Sequence, residues 1–288
     1  MIEQETDIKT VEKIIDKLGE LPVAPAILNQ ALQLTSNLDS NINEISKSIS
    51  VDQSLSAKVI RMSNSALYGR MSEITSLQES IKVLGLNQVK SIIISASTYK
   101  IFKSSSHEKI AELLWQHSVA TALGAKLLAQ KYGSVDKEEA YLCGLLHDIG
   151  KLVLLQIAPN VLEEILAEVK ESGKSIFKVE ERILGFTHAD VAQVLLQKWG
   201  FPDHLIEEVA NHHLMDLTKS EPTVTIARLT AIANTMAKYI GASFYEAFTY
   251  NAEDEFFIGS AQLEIDDYIA IRTELEEIFH KEMNSFRE

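Results

Sequence analysis

The segment from Tyr141 to Ala158 is apolar on almost every side, yet it carries His147, Asp148 and Lys151 in its middle. A helix that is apolar all round belongs in a protein core, and the pattern predicts a single helix from Glu138 to Gln156. The three polar groups make the segment too polar to span a bilayer. They also constrain everything packed around it. A buried carboxylate without a partner is strongly destabilising, so Asp148 must be paired, hydrogen-bonded or bound to a metal.

The surrounding chain is expected to be helical as well. Glycine (12) and proline (5) are scarce in 288 residues, which leaves few punctuation points for a many-stranded sheet. Residues 1–19 read as a leader helix, broken at Leu21-Pro22-Val23-Ala24-Pro25. Apolar residues recur at helical spacing from Ala26 to Leu34 and from Asp52 to Ser65, and Asn41-Ile42-Asn43-Glu44 opens a helix between them. Ser76 to Leu84 is a short helix stopped by Gly85. Val89 to Phe102 is assigned to helix, although Ser91 to Ser95 alone would suit a strand. Ser104-Ser105-Ser106 is the clearest linker. The expected architecture is an all-α, two-lobed multi-helix domain: an N-terminal helical lobe at 15–105, a second helical lobe at 106–242 and an acidic helical extension at 243–288. The extension ends in an amphipathic helix from Glu264 to Phe286, with Tyr268, Ile271, Leu275 and Ile278 on one face.

The second lobe repeats one pattern. On the helix from Glu108 to Lys131, His117 shares a stripe with Leu113, Leu114, Ala120, Thr121, Gly124 and Leu128, and the alanine, threonine and glycine there permit close helix approach. Thr187 is a natural N-cap, placing His188 at the head of a buried face with Val191, Ala192 and Leu195. Pro202 suits a first helical turn, and Leu205, Val209, His212 and His213 are expected on one inner face. Asn234 points inward with Ile226, Thr230, Ala233 and Ala237 on a helix from Thr223 to Ile240. One inward histidine is usually a satisfied core residue. Inward imidazoles on four helices plus an inward carboxylate describe a polar cluster, made of the side chains that bind borderline and hard divalent cations.

Composition limits the partners. Acidic residues outnumber basic ones 41 to 27, for a formal charge of −14, which disfavours nucleic acid and anionic membranes. The lone Cys143 excludes an intrachain disulfide and a cysteine-based zinc site, and its apolar setting reads as a buried thiol. The polar start MIEQETDIKT lacks the apolar core of a signal peptide, so a cytoplasmic location is expected.

His147-Asp148-Ile149-Gly150-Lys151 resembles the signature of the HD phosphohydrolase superfamily, with His117 matching its upstream histidine. His188 and the His212-His213 pair resemble the additional histidines of the HD-GYP branch, where they extend the site to two or three metals. In the first lobe, Leu21-Pro22-Val23-Ala24-Pro25, Asn64 to Gly69 and Ser76 to Gly85 resemble the HDOD domain, the HD-related output domain of bacterial signalling proteins. The resemblance covers residues 15–240. It implies an HD-like second lobe, a regulatory role often without enzyme activity, and other signalling proteins as partners. It also implies a metal set of His117, His147, Asp148, His188, His212, His213 and Asn234, for iron, manganese, zinc, nickel or magnesium. If the chain is an enzyme, Asp148 and Lys151 are the catalytic residues.

Three departures weigh against catalysis. Asn234 stands where HD enzymes carry a second aspartate, and an amide brings no negative charge to a dication. The histidine pair is followed by Leu214-Met215-Asp216-Leu217-Thr218, with no Gly-Tyr-Pro motif. Leu113 occupies the position of a glutamate one turn before the upstream histidine. The favoured expectation is a non-catalytic signalling module acting through protein interaction or ligand sensing, with a nucleotide as a conceivable ligand. The alternative is a metal-dependent phosphohydrolase, in which a bound ion acidifies water and Lys151 neutralises a phosphate oxygen. Asn64 and its neighbours admit a small-molecule site, but capping of a helix end is the favoured reading. Trp115, Trp199 and Phe201 are expected in core or lobe-interface packing.

Overall fold

The computed structural model describes residues 13–14, 18–19, 21–24, 28–29, 32, 46, 49–50, 53–64, 73–103, 105–213, 224–244 and 264–287. Among these every regular element is a helix, as expected for an all-α chain. The helices are α1 (Gln53–Ser63), α2 (Leu77–Leu84), α3 (Leu86–Lys103), α4 (Glu108–Tyr132), α5 (Lys137–Leu146), α6 (Ile149–Ile157), α7 (Pro159–Ser172), α8 (Ile176–Leu184), α9 (His188–Lys198), α10 (Asp203–Ala210), α11 (Ile226–Tyr239) and α12 (Ile265–Arg287). The expectations for residues 1–12, 41–44, 65–72 and 214–218 lie outside the described residues.

The core is built around α4, which packs against α5, α11 and α12. Its middle, from His117 to Ala129, is buried on every side. Small residues bring these axes together. A Cβ placed on Gly144 of α5 would lie 2.7 Å from the Ala122 Cα of α4, and one on Gly124 would lie 3.0 Å from the Ala233 Cβ of α11. These contacts fit the requirement for close helix approach around His117. Lys126 and Glu138, both buried, add an ion pair of 2.7 Å between α4 and α5.

The helices α1, α2 and α3 pack on one another, and α3 rests on α4 and α5. Trp115 of α4 meets Tyr99 and Phe102 of α3 with ring centroids 5.2 and 5.6 Å apart, so it seals the junction between the two groups of helices. The segment 21–24 is fastened to the end of α9: Lys198 Nζ donates to the Leu21 carbonyl at 2.6 Å, and the Trp199 indole donates to Pro22 at 3.0 Å. Asn64 fixes both edges of Ile74, accepting from its N–H at 2.7 Å and donating to its carbonyl at 2.8 Å, and it also bonds the Ile60 carbonyl of α1. Its amide is thus used for chain clamping.

Four sequence expectations need correction. The helix read from Glu138 to Gln156 is two helices, because the backbone turns at His147 and Asp148. His212 and His213 do not continue α10; they sit in the turn after it. The helices α7 and α8 went unread in the sequence, and α8 contributes to the site described below. The polar groups His147, Asp148 and Lys151 also do not make the segment too polar for a membrane by composition: Lys137–Ile157 is the one described stretch long and apolar enough to cross one, and it is the burial of 89% of its apolar window inside the fold that marks it as a core segment.

Candidate functional site

Six histidine and aspartate side chains meet where α4, the α5–α6 turn, the start of α9 and the turn after α10 converge. His117 comes from α4, His147 caps α5 and Asp148 precedes α6. His188 is the first residue of α9, held there by a capping box between Thr187 and Asp190. Gly150 sets the spacing between α6 and α9, since a Cβ on it would lie 2.0 Å from the His188 carbonyl oxygen. His147, Asp148 and His188 are essentially inaccessible, at 0%, 1% and 0% exposure, while His213 is half-buried.

The second nitrogen of each fully buried imidazole is fixed by what it touches. Carbonyl and carboxylate oxygens only accept, so each Nδ1 facing one must carry the proton. His117 donates from Nδ1 to the Ala242 carbonyl at 2.8 Å, His147 to Gly144 at 2.7 Å and His212 to Val209 at 2.6 Å. Two of these carbonyls lie in the last turn of α5 and α10, where orphan acceptors await partners. His188 donates from Nδ1 to the Glu180 carboxylate of α8 at 2.5 Å. All four Nε2 atoms therefore face inward.

They surround Asp148. His117 and His147 Nε2 lie 3.5 and 3.4 Å from Oδ2, and His188 and His212 Nε2 lie 3.2 and 4.0 Å from Oδ1. His188 Nε2 is also 3.4 Å from that of His212 and 3.1 Å from that of His213. Bonds of about 2.0–2.1 Å at tetrahedral angles would set neighbouring ligand atoms about 3.3 Å apart. The donor spacing therefore fits shared ions. Two groups can be drawn, His117-His147-Asp148 and His188-His212-His213, each with its ligand atoms within 4.8 Å of one another.

Lys151 occupies the Oδ2 side of the cluster. Its ammonium, itself buried, donates to Asp148 Oδ2 at 2.7 Å and lies 5.0 Å from the centre of the Phe244 ring. Phe177 contacts His213 from the other end, with ring centroids 5.2 Å apart. Burial pushes the His117 and His212 imidazoles down to about 4 and about 3, and it drives His147 and His213 well below the usual range. Burial also opposes the charge of Asp148, but His147 and Lys151 outweigh it and hold the carboxyl well below its usual range. His188 is raised: burial acts against its charge, and Glu180 beside it overcomes that.

The structure thus brings together His117, His147, Asp148, Lys151, His188, His212 and His213. Asn234 is buried on α11 with no hydrogen bond to its Oδ1 among the described residues, and none of the short contacts defining the cluster involves it. Glu180 escaped the sequence reading. The signal was present: α8 is amphipathic, and Glu180 stands beside Val179 on the side it buries.

Comparison with known proteins places this geometry. A family model described as the HDOD domain matches residues 21–215. An uncharacterised protein of Treponema pallidum is 25% identical over 256 residues, covering 88% of this chain; the chain spans 49% of that relative's length. A solved HDOD domain protein of unknown function from Geobacter sulfurreducens shares the fold at TM-score 0.75 and 22% identity, with 95% of this chain and 98% of that one covered. A Shewanella amazonensis protein with a provisional phosphohydrolase label shares it at TM-score 0.72 and 24% identity, with 93% and 97% covered. With the family model matching most of the sequence and the histidine–aspartate cluster assembled in the fold, the chain belongs to the HDOD domain family.

Proposed function

We propose that this chain is a non-catalytic signal-transduction module of HDOD type, acting through contacts with other signalling proteins or a sensed ligand. In this reading its histidine–aspartate cluster is a keystone that holds α4, α5, α6, α9 and α10 in register. The observation that carries it is the state of Lys151. In the phosphohydrolase reading Lys151 would neutralise a phosphate oxygen, yet here its ammonium is buried and bound to Asp148 at 2.7 Å. The neutral Asn234 and the lack of a Gly-Tyr-Pro motif after His213 point the same way. The buried Cys143 thiol suits the reducing cytoplasm.

A divalent ion is compatible with this role. His117, His147, Asp148, His188, His212 and His213 would hold it. When bound, it would supply Lewis-acid polarisation and cross-link the helices. The second reading, a metal-dependent phosphohydrolase, draws on the same donor spacing and on the label of the Shewanella relative.

The test is turnover. The full chain, reconstituted separately with Mn2+, Fe2+, Zn2+ and Ni2+, is assayed on bis(p-nitrophenyl) phosphate, nucleotides and cyclic dinucleotides beside Asp148→Ala. Rates equal in the two proteins support the module. Turnover that disappears in both Asp148→Ala and His147→Ala would establish the phosphohydrolase.

A further inference from the structure

Glu180 is a fully buried acid outside the histidine–aspartate set, and its Oε2 is devoted to a single residue. It accepts the His188 backbone N–H at 2.9 Å and the His188 Nδ1–H at 2.5 Å, across a separation of eight residues. The corner between α8 and α9 makes this reach. Gly185 turns the chain at a φ of 78°, and Thr187 caps α9.

Helix capping alone does not account for the arrangement. Thr187 and Asp190 already close the start of α9 with reciprocal bonds. The contact to the ring has a different consequence. It fixes the imidazole proton at Nδ1 and prevents the ring from turning over, so Nε2 faces Asp148, His212 and His213. His117, His147 and His212 spend the same proton on backbone carbonyls. A carboxylate is a stronger acceptor than a carbonyl, and it makes the opposite nitrogen a better donor to a cation.

We propose that Glu180 is a positioning residue: it holds His188 as an Nδ1–H donor and thereby sets the three-histidine group to receive a divalent cation. The proposal rests on the ligand role given to His188 above and is independent of whether the module turns over a substrate.

The experiment uses the full chain labelled with 15N-histidine, metal-free, as wild type and Glu180→Gln, with the His188 signal assigned by its loss in His188→Gln. The wild type should show His188 protonated at Nδ1, with that proton far downfield, and the shift should collapse in Glu180→Gln. Zn2+ affinity, read by competition with a chromophoric chelator, should weaken 10–100-fold in Glu180→Gln. Combined with His188→Gln, the same change should cost nothing further. An unprotonated Nδ1, a downfield proton indifferent to Glu180→Gln, or an unchanged Zn2+ affinity overturns the proposal. Should Glu180→Gln fail to fold, the wild-type spectrum decides, since no downfield Nδ1 proton means no Glu180 bond. A wild type that keeps that proton yet takes up no Zn2+ would overturn the ligand role of His188, leaving intact the hold of Glu180 on the ring.

Discussion

Replacing Gly150 by alanine sets two effects of opposite sign against each other. Gly150 lies within α6, and an alanine in a helix is worth about 1 kcal/mol more than glycine. On local propensity the variant should be more stable. The added Cβ, however, would lie 2.0 Å from the His188 carbonyl oxygen, 2.9 Å from its carbonyl carbon and 3.1 Å from the Ala192 nitrogen. These are backbone atoms and cannot swing away, so α6 and α9 must separate by about 1.4 Å or more to restore ordinary contact in a close-packed core. Overpacking of this kind costs typically about 1–3 kcal/mol and occasionally more. Because backbone must move, the upper end applies, and a net loss of about 2 kcal/mol or more remains after the propensity gain. At roughly 2–4 °C per kcal/mol for a domain of this size, Tm should fall by about 4–8 °C or more. The same shift lengthens the 3.2 Å approach of His188 Nε2 to Asp148 Oδ1, well beyond the roughly 0.2 Å tolerance of a metal site. Urea and thermal unfolding followed by far-UV circular dichroism, with a Zn2+ titration, check this. A variant as stable as wild type, or more so, would refute the packing argument and with it the role of Gly150 in setting the cluster.

Two further outcomes are expected. Metal-free protein should lose stability as the pH falls below about 6.5. His117 and His212 stay neutral in the fold, down to about 4 and about 3, while an unfolded imidazole protonates near 6.5, so the unfolded state takes up the protons. The His117 contribution alone is roughly 3 kcal/mol, fully present above pH 6.5 and lost by pH 4; stability that stays flat between pH 7 and 4.5 in urea titrations would contradict it. Breaking the buried Lys126–Glu138 pair with Lys126→Met should cost about 3 kcal/mol or more, because a buried carboxylate is left alone. Lys126→Met with Glu138→Leu should recover most of that loss in a double-mutant cycle, and additive losses would show that the two groups are not coupled.

Much of this was legible in the sequence because burial leaves a periodic trace. His117, His188 and Asn234 fall on apolar stripes at helical spacing, and each is buried on a helix. Asp148 was legible as an acid in an apolar run, which requires partners, and it has them. The break at His147 and Asp148 was not legible. No glycine or proline stands at the turn, and the continuous apolar pattern hides the change of direction from α5 to α6. His212 and His213 were assigned to a helical face for a similar reason: the stripe of Leu205 and Val209 continues in sequence after the helix has ended. Glu180 was missed because its partner is not in its own helix. Its bond to His188 depends on how the α8–α9 corner folds, which periodicity within α8 does not encode.

The central claim is that the cluster holds the fold together and does not turn over a substrate, and one variant separates these roles. Asp148→Ala removes the anion facing Lys151 and leaves a buried ammonium alone, which should cost about 3–5 kcal/mol. Its unfolding free energy and its phosphodiester hydrolysis, measured on the same metal-reconstituted preparation beside wild type, give the comparison. The account predicts a large loss of stability and the same background rate in both proteins. An Asp148→Ala variant as stable as wild type, but stripped of a hydrolysis that wild type performs, would contradict it.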